Sequence, residues 1–552
     1  MTCRRLRRLL RRTAGLLASL LALGLMLPVI TILFRLLRFD AGPTWTHLAS
    51  TVLPEYASNS IGLALGVGVG VALVGVATAW LTALYEFPGR RLFDWALILP
   101  LAMPAYVMAY VYTDLLQFVG PVQSALRQHF GWSAGDYYWF PDVRSLSGAV
   151  LMFVCVLYPY VYLLVRTQFL ERAARMQEAA RMLGLTPRQA FWRVSLPLAR
   201  PAIAAGVTLA LMETLADYGT VAYFALPTFT TGIYRAWFSL GDRQAAAQLA
   251  GLLLLGIIAL LALERAARGR ARYDPPDVHG RRRERLRGGR ATGALVICLM
   301  PVTLGFLLPA GLLLHRAITD DDARLGSAFP MLATNSFVLG GLTALLAVAL
   351  ALLFCYHLRL VPSLSARLRN RVINLGYAVP GAVIAVGILI PLTRLDHALG
   401  ALWQAVTGQA PGLILTGGIA GLIYAYLVRY MAAAMQGVDS ALLRITPSMD
   451  EAARTLGAGP WRTLHSVHMP MLRGSLLTAG LLVFVDVMKE LPATLVLRPF
   501  NFETLATQTY RLASDERLSE ASPTALAIVA VGLLPLVVIS WQIARGRPAP
   551  AT

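Results

Sequence analysis

Apolar runs of about 20 residues recur from one end of this chain to the other, and each is long enough to cross a ~30 Å hydrocarbon core as a helix. They fall at about 14–37, 59–84, 92–117, 146–168, 199–224 and 245–265, and again at 291–315, 336–357, 372–394, 412–434, 475–497 and 524–544. Membrane strands would instead read as alternating segments of ~10 residues, and the sequence has none. Only 14% of residues are charged and 57% are hydrophobic, against about 25% charged in soluble domains. The expected fold class is therefore all-α, a polytopic membrane protein of about twelve helices.

The charge is placed to match. The net charge of +20 could suggest nucleic acid, but the arginines gather at the N-terminus (Arg4 to Arg12), between Arg265 and Arg290, beside two polar loops, and at Arg545 and Arg547. An excess of Arg in loops on one side is the bias that orients membrane proteins, with anionic headgroups as the partner. Starting with the N-terminus inside, twelve crossings put every Arg-rich loop and the C-terminus inside. Asp320-Asp321-Asp322, Asp136 to Phe140 and Thr228 to Asp242 then fall outside. Membrane lipid is the expected partner and nucleic acid is not. The Arg-led apolar stretch from Ala14 to about Phe34 is longer than a signal-peptide core and has no clear cleavage site, so it reads as the first span. Cys3, Cys155, Cys298 and Cys355 form no CxxC pair, so neither a disulfide framework nor a zinc site is expected.

The chain repeats itself. Glu178-Ala179-Ala180-Arg181-Met182-Leu183-Gly184, closing on Leu196-Pro197, returns as Glu451-Ala452-Ala453-Arg454-Thr455-Leu456-Gly457, closing on Met469-Pro470, at a constant offset of 273. Glu213 and Asp217 answer Asp486 and Glu490 at the same offset, while Asn59-Ser60 and Pro104 answer Asn335-Ser336 and Pro380 at 276. Two parallel halves of six helices follow: 1–264, an Arg-rich linker 265–290, and 291–552, with the polar loops at about 171–198 and 444–473. Each half places its loop on the Arg-rich side, so the repeat is parallel and not inverted.

Each loop reads as helix–turn–helix lying along the membrane surface. Thr446 and Pro447 suit a helix start, Gly184 and Gly457 suit a left-handed stop, and Pro197 and Pro470 are expected to end the second short helix. The paired alanines leave a bare patch, and Phe191, Trp192 and Trp461 can project as knobs. Two copies imply a partner with two equivalent sites.

The pattern E-A-A-x-x-x-G followed by Pro nineteen residues after the Glu resembles the EAA loop of ABC importer permeases. The resemblance covers nearly the whole chain, of the fused double-permease type; Met469 where Leu is usual is a minor departure. It implies two tandem six-helix type I permease domains in a bacterial inner membrane, with both termini cytoplasmic. It implies docking of two cytoplasmic ABC ATPase copies by Glu178, Ala179, Ala180, Gly184 and Pro197, and by Glu451, Ala452, Ala453, Gly457 and Pro470. A periplasmic solute-binding protein would deliver the cargo. The only lysine is Lys489, followed by Glu490, so no Walker A loop is possible. No HExxH or GxSxG motif occurs either, and the expectation is a transport subunit that is not an enzyme and binds no cofactor, with ATP and Mg on the partner ATPase.

Ionisable groups at membrane depth are costly and usually face a bundle interior. Glu213, Asp217 and Tyr218, with Asp486, Lys489 and Glu490, are thus candidates for the translocation path; a structural Lys489–Asp486 pair is the alternative. Tyr106 and Tyr110 share a helix face, with Asp114 one turn on. Phenolates and carboxylates are hard ligands suited to ferric iron, although a tyrosine stripe also serves packing or an interfacial belt. The residues identify no metal-ligand set. The stretches MPAYVMAYVYTDLL, ADYGTVAYFALPTFTTGIYRAWF and KELPATLVLRPFNFETLATQTYRLASDE resemble the ferric-iron branch of the family, which implies iron(III) as cargo. Relatives carrying thiamine, polyamines, sulfate or phosphonates leave those solutes as alternatives. An ion-coupled secondary transporter is a further alternative, for which the acid pairs could serve.

Overall fold

The computed structural model describes residues 2–37, 43–133, 138–170, 182–268, 284–323, 326–410, 412–413 and 415–545. The chain is helical nearly throughout. The strand pairing among the described residues is a two-residue bridge, Tyr85 with Glu284 and Glu86 with Arg285. Ten described helices are long and apolar enough to cross a membrane, or eleven if one pair bent by 90° at Met103-Pro104 counts as a span. The twelfth expected span is Ala420–Leu443, 24 residues long. It is buried by other helices along most of its length, so it carries Arg429 and several tyrosines where a lipid-facing helix would need aliphatics.

The helices used below are α1 (Thr2–Leu37), α2 (Leu53–Leu84), α3 (Ala105–Leu116), α4 (Leu146–Gln168), α5 (Leu196–Ala216), α6 (Gly219–Tyr223), α7 (Gly289–Val302), α8 (Leu308–Thr319), α9 (Phe329–Leu360), α10 (Gly381–Thr407), α11 (Ala420–Leu443), α12 (Pro447–Thr455), α13 (Pro460–Thr463), α14 (Met469–Met488), α15 (Pro492–Leu497) and α16 (Leu518–Arg545). They form two compact units. One comprises residues 1–40, 243–251 and 327–507; the other comprises 41–242, 252–326 and 508–552.

In the first unit, α9, α11 and α14 pack on one another, α10 joins through α11 and α15, and α1 lies along α10. Small residues set that last contact. A Cβ on Gly387 would come 2.5 Å from the Pro28 carbonyl oxygen, so only glycine lets the two backbones meet. Tyr424 of α11 also donates to the Gly24 carbonyl.

In the second unit, α2, α4 and α5 pack on one another and α16 packs on α8. Gly206 faces the Val161 backbone, where a Cβ would lie 2.7 Å from its Cα. Tyr112 donates to the Leu304 carbonyl at 2.6 Å, and Arg316 of α8 pairs with Asp114. Each unit therefore contains the leading helix of the other sequence half: α1 sits with the second repeat, and α7–α8 with the first. The expected halves describe the sequence repeat, and the compact units cut across it.

The repeat is exact in its hydrogen bonds. Asn59 Nδ2 donates to the Pro227 carbonyl at 3.0 Å, and Asn335 Nδ2 to that of Glu503 at 3.0 Å. Ser60 Oγ accepts from the Phe229 amide at 3.3 Å, and Ser336 Oγ from the Leu505 amide at 2.9 Å. These caps satisfy the starts of equivalent segments that would otherwise bury free N–H groups.

Candidate functional site: two polar loops and two acid-capped helix breaks

In the second loop, Pro447 opens α12 with Thr446 at the cap position, but the Thr446 hydroxyl pairs with Ser448 at 2.8 Å instead of capping the backbone. Gly457 follows with φ +77°, a left-handed value that a side chain strains against. Pro460 starts α13, and a π-turn over Leu464–His468 carries the chain into α14. Pro470 does not end a helix as expected. It lies in the first turn of α14, where its missing N–H costs nothing.

The first loop ends in the same way: Gly184 has φ +84°, Thr186 and Gln189 cap each other, a π-turn covers Phe191–Ser195, and Pro197 lies in the first turn of α5. Glu178, Ala179 and Ala180 lie outside the described residues.

The open face of the second loop shows Glu451, Ala452, Leu456 (85% exposed) and Trp461 (77% exposed), while Ala453 turns inward. Only one of the paired alanines is thus on the bare patch. In the first loop Met182, Leu183 and Trp192 are exposed. Phe191, expected as a knob, packs instead on Trp80 with ring centres 4.4 Å apart.

The loops are braced by different chemistry. Arg359, at the end of α9, reaches Asp450 from Nε at 3.0 Å and Nη2 at 2.8 Å, and donates to the carbonyls of Leu442 at 2.7 Å and Ile445 at 2.9 Å. His468 Nε2 lies 2.7 Å from the other Asp450 oxygen, and Tyr356 donates to the Pro460 carbonyl at 2.9 Å. In the first repeat the position of Tyr356 is Trp80, that of Asp450 is Gln177 and that of His468 is Ser195. There Trp80 gathers Tyr85, Phe169 and Phe191 into an aromatic brace. Sequence reading passed over Arg359 because it looked like one more loop arginine. Its signal was Asp450 inside a loop helix, an acid that needs a cation once that helix packs.

The second feature is a break at the end of α5 and of α14. Asp217 ends α5, and its Oδ1 accepts from the Thr220 amide at 2.8 Å, capping α6. Glu490 does the same for α15: Oε1 accepts from the Ala493 amide at 2.9 Å, and Oε2 from the Thr494 amide at 3.1 Å and hydroxyl at 2.8 Å. A carboxylate at a helix start satisfies free N–H groups and opposes the dipole. The sequence singled out these acids as candidates for the translocation path without showing this capping role.

Their charge environments differ. Glu490 is 4% exposed and has Arg429 Nη1 at 3.7 Å. Tyr426 and Thr494 share a hydroxyl contact of 2.5 Å beside it. Lys489 Nζ lies 3.5 Å from Asp486, the pairing weighed above as the structural alternative. In the first repeat the position of Lys489 is Ala216. Asp217 has tyrosines around it: Tyr218 stacks on Tyr234 at 3.7 Å, Tyr110 meets Tyr223 edge-on at 4.5 Å, and Tyr106 and Tyr110 are 5.9 Å apart. Asp114, expected beside them, is paired with Arg316. Groups of three or more His, Cys, Asp or Glu that could hold a metal are absent among the described residues.

Two repeats of this build, each carrying a polar loop and a capped helix break, describe a membrane permease domain duplicated in one chain. The profile of the family described as binding-protein-dependent transport system inner membrane component matches residues 72–269 and again 344–545, and the chain belongs to that family. It is 25% identical over 537 residues to the Fe(3+)-transport system permease protein FbpB 2 of Haemophilus influenzae, covering 95% of this chain and 97% of that one. It is 31% identical to the sulfate transport system permease protein CysT of Synechococcus elongatus over 32% of this chain and 60% of that one. The molybdenum transport system permease protein ModB of Escherichia coli is 31% identical over 35% of this chain and 84% of its own length. The chain is a fused double-domain ABC permease, an all-α multi-pass component of the inner membrane.

Proposed function

We propose that this chain forms the translocation path of a bacterial ABC importer for iron(III). A periplasmic binding protein delivers the cargo to the outer face, and two copies of a separate cytoplasmic ATPase, carrying ATP and Mg, grip the two polar loops. Both termini are cytoplasmic in this reading. Closure of the ATPase pair pulls on Glu451, Ala452, Leu456 and Trp461 in one loop and on the Glu178 loop in the other. The Arg359–Asp450–His468 brace and the Trp80 cluster pass that pull to α9 and α2. The acid-capped breaks give each half a short helix that can move against a long one, with Asp217 and Glu490 beside the path. The chain supplies positioning and a pathway and performs no chemical step.

The observation that carries iron as the cargo is likeness over 95% of the chain, and 97% of the relative, to a permease protein named for Fe(3+) transport, while the sulfate and molybdenum permeases match about a third of it. Their higher identity favours an oxyanion as the second reading. The experiment is uptake into proteoliposomes holding the chain, its ATPase and its binding protein. ATP-dependent accumulation of radiolabelled iron is expected, with no competition from sulfate, molybdate, thiamine or polyamines. Accumulation of an oxyanion in its place refutes the iron reading. Uptake driven by an ion gradient without the ATPase refutes the importer reading.

A further inference from the structure

The two repeats also differ around their acid-capped breaks, and the difference has one chemical sense. At the repeat offsets, Tyr106 and Tyr110 correspond to Ala382 and Val386, and Tyr218 and Tyr223 to Leu491 and Val496. The second repeat closes the same packing with aliphatic side chains, so the phenols of the first are not demanded by the fold. The repeat acts as an internal control on the packing explanation of the tyrosine stripe.

Three further observations concern the same place. Tyr110 is 1% exposed and its buried hydroxyl has no hydrogen-bond partner among the described residues. An unpaired buried hydroxyl costs about 1–3 kcal/mol, which selection tolerates most readily where a ligand completes it. The hydroxyl lies within electrostatic range of Tyr106, Asp217, Tyr223 and Tyr510, and the Tyr218 and Tyr510 rings are 5.9 Å apart. Tyr218 also forms a wall of a cleft of about 370 Å³ with Tyr234 and Arg235, so the cluster has an approach from outside the core.

The charges select the ligand's sign. Of the nearby arginines, Arg144 pairs with Glu516 at 3.2 Å while also donating to the Tyr223 hydroxyl at 3.4 Å, Arg316 pairs with Asp114, and Arg235 on the cleft wall is exposed to solvent. Asp217 is held by amide hydrogen bonds and has no counterpart of Lys489 or of the Arg429 that faces Glu490. An anion would meet the Asp217 carboxylate among phenols, whereas a cation would meet the oxygens of Asp217, Tyr106, Tyr110 and Tyr218, with the Arg144 charge beside Tyr223 shared with Glu516. Phenolate and carboxylate oxygens suit a small, hard, highly charged ion.

We infer that Tyr106, Tyr110, Tyr218, Tyr223 and Asp217 of the first repeat, with Tyr510 of the second, form a transient coordination site for a hard trivalent cation, a way station beside the Asp217 break with no equivalent beside Glu490. The site takes iron(III), and it rests on the reading of iron as the cargo. Each phenolate bond to the ion replaces an O–H bond, with the proton released to solvent. An open cluster with mixed donors binds weakly enough to pass the ion on.

The test is titration of the full chain in lipid nanodiscs with ferric nitrilotriacetate, read by phenolate-to-iron charge-transfer absorption and by equilibrium dialysis. Saturable binding with a visible band is expected. Tyr110→Phe and Tyr223→Phe should each weaken binding by about tenfold or more, and the double variant should lose the band. Tyr424→Phe, in the other compact unit, should leave it unchanged. The thermal midpoint of Tyr110→Phe should not fall, because the variant keeps the ring and removes an unpaired hydroxyl. A wild-type chain without the band, or a double variant that keeps it at full strength, overturns the site even where vesicles still accumulate iron. Vesicles that accumulate another solute and no iron overturn the underlying cargo reading and the site with it.

Discussion

Arg359→Ala isolates the brace of the second loop. The guanidinium makes two contacts to Asp450, at 3.0 and 2.8 Å, and two to carbonyls, at 2.7 and 2.9 Å. Both side chains are mostly buried, 18% and 17% exposed. Breaking a fully buried pair by removing one partner costs about 3–5 kcal/mol. Residual solvent and the remaining His468 contact bring the expected loss to about 2–3 kcal/mol. The loss falls on α12 and α13 and not on the bundle, so the locally open state should rise by roughly 30- to 150-fold. Amide hydrogen exchange measures this directly. Residues 447–463 should exchange faster by that factor, while the centre of α11 stays protected. Arg359→Lys keeps charge but loses the fork that grips a carboxylate and two carbonyls together, so it should fall between. Unchanged exchange in 447–463, or faster exchange spread evenly through α9, α11 and α14, would refute the claim that this arginine braces the loop.

Glu178→Arg combined with Glu451→Arg should abolish ATPase co-purification and uptake while membrane insertion persists; retained ATPase binding ends the docking reading. Glu490→Ala strands Arg429, which is 8% exposed, and the amides of Ala493 and Thr494. It should cost about 3 kcal/mol, against about 1 kcal/mol for the cap lost in Asp217→Ala, a difference visible as a larger fall in thermal midpoint. Both variants should impair uptake with ATPase binding intact, and unchanged uptake would leave these acids a capping role alone. Gly387→Val puts a side chain where even a Cβ would lie 2.5 Å from the Pro28 carbonyl, so amide exchange along residues 15–37 should quicken as α1 leaves α10, and unchanged exchange there would refute the close contact.

Much of this was legible because it is local. A run of apolar residues needs no partner to be recognised, and a repeat offset is arithmetic on letters. Gly184 and Gly457 could be placed because a left-handed residue ends a helix wherever it occurs. Asp217 and Glu490 could be placed as costly groups, but their capping of α6 and α15 required the chain to turn after each of them. Pro197 and Pro470 were misread because a proline that stops one helix and a proline in the first turn of the next look identical in sequence; the π-turn before each decides between them. The difference between the loops' braces was written at positions 80 and 356, yet neither residue touches the loop in sequence.

By itself, then, the sequence determined that the chain is a membrane protein of two repeats and where its polar loops fall. Those properties depend on composition and spacing within a segment. Only the tertiary structure decided that α1 packs with the second repeat and α7–α8 with the first, that Arg359 holds Asp450, and that Tyr510 joins the tyrosines of α3 and α6. All apolar helices look alike to lipid. Which of them meet is settled by close-fitting small residues such as Gly387 and Gly305, where a side chain would strike a neighbouring backbone, and by the need to pair every charge that the packing buries.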